Sequence, residues 1–170
     1  GRMMVEMEAP QSNVVGCHPN QTAPYASGIP YLGVHGNAAN NDYIDCQTPN
    51  AWTRSWHGLT GFGMTQPNTF SPDGQVTYVT STNPQPTGCR LFAVDVNTGD
   101  EVWCKSYATD IERSAVEVDA DGDLYFTVDD SLVSLNADGD QRWRVPLTDA
   151  DGQPSGGWGV HFTPQGYVAT

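Results

Sequence analysis

Between Val76 and Trp143 apolar and polar positions alternate in short runs, and the runs are separated by segments rich in Gly, Asp and Asn. The clearest case is Ala93 to Trp103, where apolar residues alternate on both sides of Asn97-Thr98-Gly99-Asp100 and a large aromatic closes the second half. Alternation with period two puts successive side chains on opposite faces of a strand, and a short link bearing glycine is a hairpin turn. The stretch therefore predicts a β-hairpin ending on a tryptophan. The same grammar returns from Ser134 to Trp143, one residue tighter ahead of Gly139 but with the same spacing from glycine to tryptophan.

The hairpins belong to a longer period. Trp56, Trp103 and Trp143 lie 47 and 40 residues apart. Each is followed by a loop, an apolar segment and a turn that ends in glycine: Ser71-Pro72-Asp73-Gly74, Asp119-Ala120-Asp121-Gly122 and Thr163-Pro164-Gln165-Gly166. After each turn comes another alternating run, Val76 to Thr80, Leu124 to Val128 and Gly166 to Thr170. Four strands in a repeat of this length are the period of a β-propeller blade. The expected fold is thus all-β, a β-propeller of four-stranded antiparallel blades of which about two and a half are present. An outer strand is expected at 50–57, blades at 65–106 and 112–146, and the start of another at 157–170. Residues 1–48 have no clean period and read as an irregular N-terminal arm. A single blade cannot bury both its faces, so blades must stack, and a flat tryptophan wedged between neighbours buries on the order of 150–250 Å². Trp56, Trp103 and Trp143 are accordingly read as scaffold. A closed propeller needs at least about four blades, so the expected partners are other blades of a longer chain, with further subunits as the alternative.

Composition narrows the setting. The 170 residues carry 20 Asp and Glu against 7 Lys and Arg, for a net charge of −13, and Lys105 is the single lysine. Such a surface repels phosphates, which disfavours nucleic acid and anionic membrane as partners. No run approaches the roughly 20 apolar residues of a membrane helix, and no basic-then-apolar leader pattern opens the sequence. Scarce lysine with abundant aspartate suggests a saline or calcium-containing environment. The four cysteines, Cys17, Cys46, Cys89 and Cys104, allow three pairings. Cys89 and Cys104 flank the first hairpin and would sit almost opposite each other, so a cross-strand disulfide is geometrically reasonable there, and Cys17 with Cys46 would then clip the arm. An even, pairable count predicts an oxidising compartment, extracellular, cell-surface or periplasmic. Four buried thiols are the alternative.

The residues Ala93, Asp95, Thr98, Gly99 and Trp103 match the tryptophan-docking motif of quinoprotein-like β-propellers, and the chain resembles the superfamily of pyrroloquinoline-quinone (PQQ) dehydrogenases and outer-membrane-assembly lipoproteins. The second copy, with Gly139 and Trp143, has Ser134 and Asn136 where the motif has Ala and Asp, and it lacks the threonine. Val34-His35-Gly36-Asn37-Ala38-Ala39-Asn40 is similar to the segment that opens the first blade in that superfamily. The resemblance implies that Pro49 to Trp56 is an outer strand closing a ring. For a dehydrogenase it further implies PQQ, a disulfide between adjacent cysteines, and a catalytic aspartate near calcium. No Cys-Cys pair stands in this sequence.

Candidate chemistry is sparse. Asp119, Asp121 and Asp123 alternate ahead of and after Gly122 like a calcium loop; the competing reading is a β-turn that uses Asp and Gly for their backbone preferences. His18, His35, His57 and His161 show no zinc spacing. Propellers bind ligands at the axis or on one rim, so residues entering the innermost strands are the candidates for a cofactor: Arg113 beside Glu112 for an anionic group, Trp158 for stacking on a planar ring, and His161. A channel lining or mutual pairing is the competing reading. The catalytic residues are not assigned. Three functions are consistent with these residues: an exported scaffold for binding or assembly, part of a PQQ- and calcium-dependent alcohol or sugar dehydrogenase, and an adhesive surface or filament subunit.

Overall fold

The structure, a computed structural model, describes residues 56–64, 66, 68–82, 88–108, 111, 115–157, 159–163 and 166–170. The expected arm, most of the expected strand at 50–57, and Cys17, Cys46, Glu112, Arg113 and Trp158 lie outside the described residues. Within them the secondary structure is β throughout. Strands β1 (Thr69–Phe70), β2 (Val76–Thr80), β3 (Cys89–Asp95) and β4 (Glu101–Ser106) form one antiparallel sheet in sequential order. Strands β5 (Glu117–Val118), β6 (Leu124–Val128), β7 (Ser131–Leu135) and β8 (Gln141–Pro146) form a second sheet of the same order, and β9 (His161–Phe162) pairs with β10 (Val168–Ala169). The fold is all-β, built of four-stranded antiparallel blades, as the alternation predicts.

The turns repeat one device. Where β1 passes to β2, the amide of Ser71 donates to the Val76 carbonyl while Ser71 Oγ accepts from the Val76 amide. Asp119 with Asp123, and Thr163 with Tyr167, make the same reciprocal pair in the next two blades. A short oxygen-bearing side chain at this position therefore closes the turn whichever of Ser, Asp or Thr supplies it. The register then carries one cross-strand row through each blade. Thr69, Tyr78, Ala93 and Trp103 stand opposite one another in the first sheet, and Glu117, Tyr125, Ser134 and Trp143 in the second. His161 opposite Ala169 begins the row in the third.

Alternation gives each sheet two apolar faces. Tyr78, Leu91 and Ala93 on the first sheet pack against Val118, Leu124, Phe126, Val133 and Leu135 of the second, forming the largest buried cluster. Phe92 and Val94, on the reverse face of β3, meet Trp56, Leu59 and Phe62. The third seam is thinner: Tyr125 and Leu132 of the second sheet bury Val160, flanked by Trp143, Leu147, Phe162 and Val168.

Tryptophan fixes the angle between sheets. The Trp103 ring lies on the turn of the second sheet and its Nε1–H donates to the Ala137 carbonyl at 2.9 Å. Trp56 does the same one position earlier, donating to the Val96 carbonyl at 2.7 Å. Both rings rest where only glycine leaves room. A Cβ at Gly99 would come within 2.5 Å of the Trp56 ring, and one at Gly139 within 3.0 Å of the Trp103 ring, and both glycines have positive φ. Lys105 lies 5.8 Å from the Trp103 ring centroid, adding a cation–π contact.

Cys89 and Cys104 are joined, with Cα atoms 5.7 Å apart, so the expected cross-strand disulfide is present. It ties the outer strand that carries Trp103 to β3 beside a register shift between Cys89 and Leu91. The bridge between Cys17 and Cys46 involves residues outside those described.

Two predictions follow from this packing. Gly139→Ala adds a steric conflict to the positive-φ penalty, whereas Gly152, also at positive φ, has nothing within 4 Å of an added Cβ. Urea unfolding should show Gly152→Ala costing about 1 kcal/mol and Gly139→Ala at least about 2 kcal/mol; equal losses would show that the ring does not bear on the turn. Replacing both Cys89 and Cys104 by Ala should lower stability by about 3 kcal/mol, the value for a loop of this length, and reducing agent should change the variant's midpoint far less than the parent's.

Candidate functional site

The second sheet presents its most polar face to the third sector, and the polar groups there form a connected cluster. Asp119, at the end of β5, accepts the amides of Asp121 and Asp123 on Oδ1, at 3.0 and 2.9 Å. Its Oδ2 accepts the Tyr125 hydroxyl at 2.8 Å. Arg142 donates to the Tyr125 hydroxyl oxygen and to Ser134 Oγ, each at 3.1 Å, and pairs with Asp123 at 2.7 Å. A register shift between Ser134 and Leu135 brings Arg142 to this group. Val102 precedes Trp103 as Arg142 precedes Trp143, beside a shift between Ala93 and Val94, and it stands exposed.

Arg142 is the one described cation of the cluster, set among the carboxylates of Asp119, Asp121 and Asp123. Burial pushes the Asp123 carboxyl up; Arg142 opposes this, and Asp119 and Asp121 add to it. The hydrogen bond to Tyr125 raises Arg142 further above its usual range. Burial and the bond to Asp119 together hold the Tyr125 phenol protonated to higher pH. The cluster is a clamp of a turn, a strand and an outer strand. It contains donors and acceptors already matched to one another, and no activated nucleophile.

Glu117 lies at the inner end of the same face. It is 4% exposed, in a row whose other members are Tyr125, Ser134 and Trp143. Burial alone drives its carboxyl up to about 8, with no charged group contributing. Thr69 occupies the equivalent slot in the first sheet, fully buried with a hydroxyl that has no hydrogen-bond partner.

The candidates from sequence distribute as follows. Asp119 and Asp123 enter the clamp, and Asp121 is exposed at the turn. Among the described residues no group of three or more His, Cys, Asp or Glu side chains is placed to hold a metal ion. The aspartates lie in a β-turn, with Gly122 donating to the Asp119 carbonyl, and Asp119 turns its carboxylate onto amides of its own loop. His161 sits on β9 opposite Ala169, and it is not gathered with the aspartates. Arg113 and Trp158 lie outside the described residues. Ala93, Asp95, Thr98 and Gly99 all serve the first hairpin: Asp95 Oδ1 accepts the amides of Asn97 and Thr98, and Thr98 Oγ1 accepts that of Asp100. Sequence reasoning missed Glu117, Tyr125 and Arg142. The available signal was an acid inside the apolar run Ala115-Val116-Glu117-Val118, two residues before the turn residue Asp119, as Thr69 precedes Ser71.

No protein-family model and no curated protein matches the chain. Among solved structures it is similar to "Dihydro-heme d1 dehydrogenase NirN in complex with DHE", at 20% identity and a TM-score of 0.49, over 88% of this chain and 32% of that one. The chain thus spans about a third of the length of that protein.

The clamp separates two roles for the aspartates. Asp119→Ala removes three accepted bonds and should cost about 2 kcal/mol or more, whereas Asp121→Ala should stay within about 0.5 kcal/mol. The check is chemical unfolding with and without millimolar calcium. A calcium-dependent stabilisation lost in both variants would show a metal loop instead.

Proposed function

We propose that the chain is an exported, PQQ-like β-propeller repeat protein whose blades form a scaffold for binding or assembly. One observation carries the reading: the docking of Trp56 on the Val96–Gly99 turn is repeated by Trp103 on the Ala137–Gly139 turn. Trp143 stands at the same point in its row, 5.8 Å from Tyr125 as Trp103 is 6.0 Å from Tyr78. No described residue accepts a hydrogen bond from the Trp143 indole. By the rule the first two tryptophans obey, its partner is the glycine turn of a further blade, in the same polypeptide or in another subunit. The Cys89–Cys104 disulfide supports export, since such bonds persist in oxidising compartments. No helix among the described residues is long and apolar enough to cross a membrane.

The polar cluster supports a structural rather than catalytic role, because its side chains are bonded to one another and to the turn: Asp119 to its loop amides and Tyr125, and Arg142 to Tyr125, Ser134 and Asp123. The dehydrogenase reading rests on the Ala93–Trp103 motif, and it places calcium and PQQ in blades beyond those described. The complete polypeptide from its native source, weighed intact and assayed for dye reduction with PQQ and calcium, decides between them. The scaffold reading expects a mass well above 18.4 kDa, or a defined multimer by light scattering, and no PQQ-dependent turnover. Robust turnover would overturn it.

A further inference from the structure

The slot two residues ahead of each turn-closing residue is occupied by Thr69, Glu117 and His161 in successive blades. In the first blade the slot faces the second sheet, because Thr69 stands opposite Tyr78, a member of the cluster between those sheets. In the second blade it faces the third sector, because Glu117 stands opposite Tyr125, which packs edge-on to Phe162 with ring centroids 5.0 Å apart. In the first blade the slot leaves a threonine hydroxyl buried without a partner, and in the second Glu117 is 4% exposed. A carboxylate so enclosed has the desolvation cost of a charge, and no described residue is bonded to it.

The described charged and titratable groups on the elements around Glu117 do not relieve that cost. Asp119, two residues along its own strand, carries the same sign and is bonded to its loop and to Tyr125. Tyr125 on β6 is neutral and engaged at both ends. Arg142 on β8 is paired with Asp123. His161 on β9 occupies the equivalent slot one blade further on and so faces away from Glu117. The seam itself is thin, with Tyr125, Leu132 and Val160 as its buried members.

We propose that Glu117 is a proton-linked latch: with its proton it lets the third sector close on the second sheet, and without it the seam opens. The direction follows from linkage. Burial raises the folded-state value to about 8, so the latch's contribution is fully present below the ordinary carboxyl range. It is lost as pH rises towards 8, and constant above that. Opening exposes the faces of Tyr125 and Phe162 without requiring the main seam between the first two sheets to separate.

Amide hydrogen exchange at His161 and Ala169, the hydrogen-bonded pair of β9 and β10, in the full chain, corrected for the intrinsic pH dependence, tests this. In the parent protein protection should fall about tenfold per pH unit between pH 5 and 8, while in Glu117→Gln it should be flat. The same slope in both proteins would overturn the latch. Glu117→Thr, which copies the first blade's residue, is the second variant. A carbon-13 carboxyl titration of the parent covers the case in which neither variant folds: a midpoint above 7 supports the proposal and one near 4.5 overturns it.

Discussion

A planar indole lying on a glycine turn is the contact on which the stack depends. A four-stranded sheet has two apolar faces and must be covered twice, yet apolar contact alone leaves two sheets free to slide and rotate. The Trp103 ring removes that freedom. Its N–H is bonded to the Ala137 carbonyl, and its face is fitted to a glycine at positive φ. The ring thus locks one outer strand to the next sheet's turn. The Cys89–Cys104 bridge ties the same strand to β3, and the Lys105 side chain lies beside the ring at the Gly139 turn.

The repeat built by this contact was legible where it is local. Alternation around Gly99 and Gly139 predicted both hairpins, and the shared spacing from glycine to tryptophan is realised as Ala93 opposite Trp103 and Ser134 opposite Trp143. The turn residues were also readable as turns, because Ser71, Asp119 and Thr163 need no partner beyond their own loop.

What escaped depends on register. The first blade's turn spans Ser71 to Val76 and the second Asp119 to Asp123, one residue shorter. Tyr78 and Tyr125 therefore fall in the same row although they stand at different distances from their turn glycines. A count from glycine puts Thr77, on the other face, in the place of Tyr125. Arg142 was hidden for a similar reason, since a register shift brings it to the polar face. Glu117 looked like one more surface acid in a chain of net charge −13. The packing of Tyr125 on Phe162 and of Leu132 on Val160 shows that its face is covered.

The two kinds of seam suit different roles. The seam between the first two sheets is held by a large apolar cluster, with no charged group among its members, and is pinned by a docked tryptophan. The next one carries a buried acid, a hydrogen-bonded clamp and an indole without a described acceptor. The first seam sets the angle between sheets, and the second is where the stack meets what comes next.

The most direct test is a double-mutant cycle between Trp103→Ala and Gly139→Ala, followed by urea unfolding. If the ring on the turn sets the stack, the two changes are strongly non-additive: once Trp103 is removed, the added methyl at position 139 meets only the flexible end of Lys105 besides its positive-φ penalty, leaving a coupling of about 1 kcal/mol or more. Additive losses would contradict the account and leave the sheets held by apolar burial alone.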